Sequence, residues 1–431
     1  MSLAKHSDAR VMLARLSEEW RVPLTAGIEI SDRCNEVCVH CYQVQGLRGE
    51  MSTEQLCGVI DQLAELGVLL LTLSGGEATL RSDFLQIVGY ARSKGFALRL
   101  FTNGLTMTRE LAQALGRHAM QNVEISLYST RADVHDFVTG VRGSFDRTLA
   151  GVRNLVDAKV PVTIKTPVMS VNEGEYAAYA QLAQELGVEY SLSAAELMPR
   201  MGGDRSPETF EPSDRGRVEL LRELRPAPEC GTKPARPLSA APCGAGTSIH
   251  IESDGELRPC TMLEFDLGHA LREGVGAARA GNERMLALRE LTWSHLHGCR
   301  ECDLRPFCQR CYAAALVQAG DALGPYPGAC HAAALNYEVS TGHAARVQPQ
   351  PGAAAASGPY RALGDHTFQQ LQDQVNVEDH ALAARLGWTR SNTSSPAPDM
   401  AARPGQLIQI RRPGRKKPSL ERIPSSNERA S

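Results

Sequence analysis

Residues 25–41 read TAGIEISDRCNEVCVHC. A short β-rich run, Thr25–Ser31, delivers the chain into three cysteines, Cys34, Cys38 and Cys41, spaced C-x3-C-x2-C. Three thiolates this close can grip one face of a four-iron cluster. Such clusters normally take four cysteines, so three leave one iron open. An open position binds a substrate or cofactor, the logic that separates catalytic from structural zinc sites. The next cysteine, Cys57, falls in the middle of a predicted helix and fits no motif. It reads as a small buried hydrophobe.

Working outward, the alternation begun by Thr25–Ser31 continues. Further β-rich runs are Val68–Ser74, Ala97–Thr102, Val123–Leu127, Val160–Val168 and Val188–Ala194. Between them lie the helical stretches Thr53–Leu66, Ser82–Lys94, Thr108–His118, Phe145–Ala158 and Glu173–Leu186. This order predicts a parallel α/β sheet. The run VLLLTLS at 68–74 reads as apolar throughout, which predicts a strand covered on both faces. A doubly wound sheet and an incomplete α/β barrel both accommodate the pattern. In either, ligands gather at the C-terminal ends of the strands. The second strand ends in Ser74-Gly75-Gly76-Glu77, the third in Thr102-Asn103-Gly104 and the fourth in Ser126-Leu127-Tyr128-Ser129. Two glycines let backbone approach a ligand closely, and a carboxylate can accept from an ammonium.

The chain has 431 residues, 42% hydrophobic and 22% charged, with a net charge of −3. That balance gives no reason to expect nucleic acid or anionic membrane as a partner. The N-terminus lacks the apolar run of roughly 7–15 residues of a signal peptide. The most apolar stretch, Leu66–Leu73, is far shorter than the ~20 residues that span a bilayer. A cytoplasmic, reducing location is expected, where clustered cysteines bind metal more often than they pair. Eight of the twelve cysteines lie between 230 and 340. After Met198 a loop-like stretch, a helix at Asp214–Leu224 and a proline-rich linker at 226–242 lead to a β-hairpin signal around Asp254-Gly255. Beyond Gln348 the chain is rich in Pro, Gly, Ala and Ser, interrupted by one predicted helix at His366–Leu386, and reads as a disordered tail.

The C-x3-C-x2-C after the first strand, with GGE after the second, resembles the radical S-adenosylmethionine (SAM) superfamily over about residues 24–200. The resemblance implies a partial (β/α)6 barrel. It implies that Cys34, Cys38 and Cys41 bind a [4Fe–4S] cluster whose fourth iron takes the amine and carboxylate of SAM. By the same resemblance Gly75, Gly76 and Glu77 contact the methionyl amine and Ser126 lies near the ribose or carboxylate. Asn103 and Lys165 are further candidate contacts, and His40 and Tyr42 sit by the adenine. No catalytic residue is assigned beyond the cluster. The chain departs from the family in having Ala78 where proline usually follows GGE, His40 where an aromatic residue is frequent, and Thr139 where arginine is frequent.

In the C-terminal half the spacing is Cys243-x11-Gly255-x4-Cys260, Cys299-x2-Cys302-x5-Cys308-x2-Cys311 and then Cys330. This resembles the SPASM extension of radical enzymes that modify peptides and proteins. It implies one or two auxiliary [4Fe–4S] clusters: Cys243, Cys260 and Cys311 on one, with Cys230 a candidate fourth ligand, and Cys299, Cys302, Cys308 and Cys330 on the other. The competing reading of Cys299, Cys302, Cys308 and Cys311 is a structural zinc site.

The domains expected are an N-terminal helical extension at 1–23, a radical SAM core at 24–225, a SPASM iron–sulfur domain at 226–345 and a low-complexity tail at 346–431. The expected activity is reductive cleavage of SAM to a 5′-deoxyadenosyl radical and hydrogen abstraction from a ribosomally made peptide or other protein. An external flavodoxin- or ferredoxin-like electron donor is the expected partner. The alternatives are a SPASM-type enzyme acting on a small molecule or haem precursor, and a non-catalytic iron–sulfur or zinc scaffold. A scaffold has no need of the intact GGE.

Overall fold

The computed structural model describes residues 23–194, 196–224, 237–343, 345, 347–349, 360–362 and 385–386. The expected N-terminal extension (apart from its last residue), most of the linker, Cys230, most of the helix at 366–386 and the remainder of the tail lie outside the described residues.

Six strands and their helices follow in the predicted order. They are β1 (Thr25–Ser31), α1 (Thr53–Glu65), β2 (Leu70–Gly75), α2 (Phe84–Ser93), β3 (Ala97–Thr102), α3 (Arg109–Arg117), β4 (Asn122–Ser126), α4 (Ala132–Thr139), α5 (Ser144–Asp157), β5 (Val162–Pro167), α6 (Tyr176–Leu186) and β6 (Glu189–Ser193). Then come α7 (Asp214–Glu223) and the hairpin β7 (Ile249–Ile251)–β8 (Leu257–Arg258). The cysteine-rich end carries α8 (Val275–Gly281), α9 (Glu283–Glu290), α10 (Tyr312–Ala319) and α11 (Pro327–Thr341). Local chemistry sets several boundaries. Ser52 and Gln55 form a capping box that starts α1, and Gly140, at φ 68°, ends α4 in the left-handed conformation. The short helix α4 is absent from the sequence reading.

The strands form one sheet in the order β6-β5-β4-β3-β2-β1-β7-β8, with every neighbour parallel except β7–β8. From β1 to β6 each strand lies beside its predecessor, and the order never reverses. Right-handed crossovers then put all the intervening helices on one face. A doubly wound sheet needs a reversal, so that alternative falls.

One-sided cover corrects the reading of 68–74. Leu71 and Leu73 are fully buried, while Leu70, Thr72 and Ser74 are partly exposed. The register repeats this alternation across the sheet. Ile28, Leu71, Leu73, Leu98, Leu100, Val123, Ile125 and Ile164 join the helix-side core. Gly27, Thr72, Arg99 and Asn122 share a row on the opposite, polar face. Four leucines in seven residues hid a period of two, because Leu69 and Leu70 belong to the exposed entry and the polar side of β2.

The cysteine-rich half is joined to this sheet. β7 pairs with β1 from Ala26↔Ile249 to Ile28↔Ile251. One hydrophobic core runs from Ile28 through Ile251 to Trp293 and Tyr312. Among the described residues no helix is long and apolar enough to cross a membrane. Ile28 is 0% exposed in an interior strand of the sheet, so Ile28→Ala is expected to cost about 2–5 kcal/mol, read as a lowered urea midpoint at constant slope.

Candidate functional site

The chain leaves β1 at Ser31 and is held at once by the end of β2. Gly76 N–H donates to Ser31 O at 2.8 Å and Glu77 N–H to Arg33 O at 2.7 Å. The approach is too close for side chains. A Cβ on Gly75, where φ is 138°, would lie 2.2 Å from Ser31 O, and one on Gly76 would lie 2.5 Å from Arg33 O. The two glycines are therefore demanded by chain meeting chain. Their effect is to fix Cys34 over the GGE turn.

Glu77 is 1% exposed. Its Oε1 accepts from Thr79 N (3.1 Å), Thr79 Oγ1 (2.5 Å) and Thr102 Oγ1 (2.7 Å), and its Oε2 from Asn103 N (2.7 Å). The carboxylate thus ties the ends of β2 and β3 together. Asn103 in turn donates through Nδ2 to Asn35 Oδ1 at 2.6 Å and lies 4.0 Å from Cys34 Sγ. Cys34, Glu77 and Asn103, from three strand tops, are one cluster of side chains.

A second cluster forms around Tyr128, just past the end of β4. Cys38 Sγ is 3.3 Å from Glu36 Oε2 and 3.8 Å from Tyr128 OH. His40 meets the Tyr128 ring edge-on at 4.7 Å, and the Tyr128 hydroxyl also hydrogen-bonds Ser126. Burial, helped by the nearby Arg200 charge, holds the His40 imidazole down at about 4. His40 is therefore neutral near pH 7 and packs as an aromatic ring. Burial pushes the Glu36 carboxyl up to about 7. Tyr42 is tied through its hydroxyl to Thr261 and through its carbonyl to Met201 N at 2.8 Å. Lys165 lies opposite Ser126 in the β4–β5 register, on the polar face of the sheet. Its Nζ is 2.9 Å from Glu124 and 4.3 Å above the Phe101 ring.

The cysteine loop is anchored on its other side by α4, where Val37 N donates to Thr139 O and Val39 N to Val138 O, both at 2.9 Å. Glu36, Asn35 and Tyr128 lie beside the motif residues in sequence, yet nothing in their spacing singles them out. Arg200 had no local signal at all, because it reaches Cys38 from 162 residues away.

The thiols show what the site is suited to hold. Burial pushes Cys34 up to about 11 and raises Cys38 and Cys41, and Cys41 adds to the shift of both others. Further along, Cys243 is raised to about 11 by burial, with Cys260 and Cys311 adding to it. Cys302 and Cys308 are raised to about 12 by burial, and Cys330 well above its ordinary value. Cys299 acts on all three of these. The described thiols other than Cys57 thus fall into three mutually acting groups. Buried thiols in such groups become thiolates only when cations share the site.

Sulfur spacing separates a cluster from a single ion. Zn–S bonds of about 2.3 Å hold tetrahedral thiolates about 3.8 Å apart. Among the described residues, only Glu252, Asp254 and Glu256 bring three candidate ligand atoms within 4.8 Å of one another, and no three cysteines do. That acidic trio is closed by Arg48 and Arg258. Cys57, partly buried on α1, belongs to none of the cysteine groups. A cavity of about 460 Å³ opens between the loop at Tyr42, the segment at 198–205, the residues after Cys260 and α10.

The family model described as the radical SAM superfamily matches residues 28–183. Over 331 residues the chain is 30% identical to the AdoMet-dependent heme synthase of Methanosarcina barkeri, covering 69% of this chain and 94% of that protein. The chain belongs to the radical SAM superfamily. It is a radical SAM enzyme in architecture, with a SPASM-type cysteine pattern. The antilisterial bacteriocin subtilosin biosynthesis protein AlbA of Bacillus subtilis is 31% identical over 288 residues, 63% of each chain. Among solved structures, anSMEcpe with bound AdoMet superposes with a TM-score of 0.59 at 16% identity, covering 74% of this chain and 97% of that one.

In this radical SAM enzyme the Ser31–Gly76 and Arg33–Glu77 contacts have no room for a side chain. Gly76→Ala is expected to displace the Arg33–Cys34 backbone at a cost of about 1–3 kcal/mol. Bound iron per chain should fall while the far-UV circular dichroism of the sheet is kept. Wild-type iron content in the variant would refute this account of the glycines.

Proposed function

We propose that Cys34, Cys38 and Cys41 hold a [4Fe–4S] cluster with SAM on its open iron, above a partial (β/α)6 barrel. The observation that carries this reading is the group of three thiols, Cys38 buried and Cys34 and Cys41 part-buried, on a loop fixed over the GGE turn. A cluster held there would pass one electron, received from an external donor, to the sulfonium of SAM, releasing methionine and the 5′-deoxyadenosyl radical that takes hydrogen from a substrate.

The chain's own residues bind, orient and shield. Both Glu77 oxygens are engaged by protein donors, so the GGE turn offers a methionyl amine its backbone carbonyls. His40 and Tyr42 form an adenine wall, neutral and aromatic, beside Cys41. Ser126 and Asn103 offer polar groups for the ribose and the methionyl carboxylate. Lys165, 44% exposed and paired with Glu124, faces the substrate side of the sheet. Cys243, Cys260 and Cys311, with Cys230, hold one auxiliary [4Fe–4S] cluster, and Cys299, Cys302, Cys308 and Cys330 a second. The radical SAM core then spans 24–225 and the SPASM part 226–345, and a flavodoxin- or ferredoxin-like protein delivers the electron.

For the substrate, a small carboxylated molecule of the haem-precursor class is the reading favoured by the match to a heme synthase over 94% of that protein's length. A ribosomally made peptide is the second reading, favoured by the match to AlbA, which covers 63% of each chain. Anaerobic assays with an iron porphyrin carrying propionates, and with peptides encoded beside the gene, decide between them. The true substrate is the one that raises 5′-deoxyadenosine release above the substrate-free rate.

Cys38→Ala is expected to abolish 5′-deoxyadenosine formation while the absorbance of the auxiliary clusters persists, and retained cleavage of SAM would refute the assignment. Cys302→Ala is expected to keep SAM cleavage and lose product. Wild-type protein should carry about eight to twelve irons per chain if auxiliary clusters are present. Zinc without iron would overturn the radical reading.

A further inference from the structure

We propose that Arg200 is a positioning residue for the cysteine loop, whose fixed charge favours the reduced state of the cluster that loop holds. This rests on the assignment of Cys34, Cys38 and Cys41 as ligands.

Arg200 lies in the segment after β6, far from the loop in sequence. Its Nη2 donates to the carbonyls of Cys38 and Val39, both at 3.3 Å. The next residue, Met201, donates its N–H to Tyr42 O at 2.8 Å. Two successive residues thus hold carbonyls on either side of His40-Cys41. The segment that carries them is itself fixed, with Arg200 N donating to Asp204 O at 2.8 Å and Gly203 N to Arg200 O at 2.9 Å. Gly202 and Gly203 both sit at φ 90°, which makes the tight turn possible.

The guanidinium that holds these two carbonyls also brings a positive charge to the cysteine loop. The Asp204 carboxylate, 3.6 Å from Arg200 Nε, is 56% exposed and so open to solvent screening. One electron added to a thiolate-bound cluster raises its negative charge by one and leaves the ligands unchanged. A fixed cation nearby stabilises that added charge, more strongly in a partly buried site than in water. Arg200 also lines the cavity beside Tyr42.

The test uses the full chain, reconstituted anaerobically, as wild type, Arg200→Gln and Arg200→Lys. Each is titrated with dithionite and followed by electron paramagnetic resonance, using the signal that added SAM perturbs as the marker of the N-terminal cluster. Arg200→Gln should lower the ratio of reduced to oxidised cluster at fixed potential about tenfold, which is about 59 mV for one electron. Arg200→Lys keeps the charge and should stay close to wild type. Loss of the SAM-sensitive signal in Arg200→Gln with its retention in Arg200→Lys also supports a role for the charge. Equal potentials in wild type and Arg200→Gln, or loss of the signal in both variants, would overturn the proposal. No SAM-sensitive signal in the wild type would instead overturn the ligand assignment on which it rests.

Discussion

Two backbone hydrogen bonds, from Gly76 N to Ser31 O and from Glu77 N to Arg33 O, govern the rest of the site. They exist because β1 and β2 run parallel and end level with each other, so that both exits turn at one height. They fix the start of the cysteine loop, and Asn103 carries the link on to β3 through Glu77 and Asn35. The cost is a ban on side chains at residues 75 and 76, and that ban explains the glycine pair before any ligand is considered.

The second constraint is electrostatic. The protein draws three groups of thiols partly or wholly out of solvent, which makes their protons harder to lose. Unfilled, these groups add little that is favourable to the fold; filled with multi-iron clusters, their thiolates are neutralised where they stand. Arg310 shows the same logic from the other side. It is buried, acts on Cys299 and Cys308, and donates to Gly324 O at 2.6 Å. A buried cation there would be offset if the neighbouring sulfurs carried thiolate charge.

Much of this was legible in the sequence. Helices and strands from β1 to β6 fell within a few residues of their predicted ends, because helix caps and strand-ending glycines act locally. The hairpin at Asp254-Gly255 was equally plain, with Ile251 opposite Leu257. Illegible were the one-sided burial of β2, which four leucines in a row of seven obscured, and the helix α4, a short element between β4 and α5. His40 stands where an aromatic residue is frequent in the family, and its ring, packed edge-on against Tyr128 and held neutral near pH 7, behaves as one.

By itself the sequence determined the parallel α/β alternation, the three-cysteine loop at the first strand top and the seven-cysteine pattern downstream, since each rests on spacing along the chain. Only the tertiary structure decided the rest. It set the singly wound strand order, joined the cysteine-rich half to the sheet through β7, and turned Glu77 from a free carboxylate into a tie between two strands. It also brought Arg200 onto the cysteine loop across 162 residues. The physical reason is the same in each case: parallel pairing and burial act between segments distant in the chain, and no local spacing records which of them will meet.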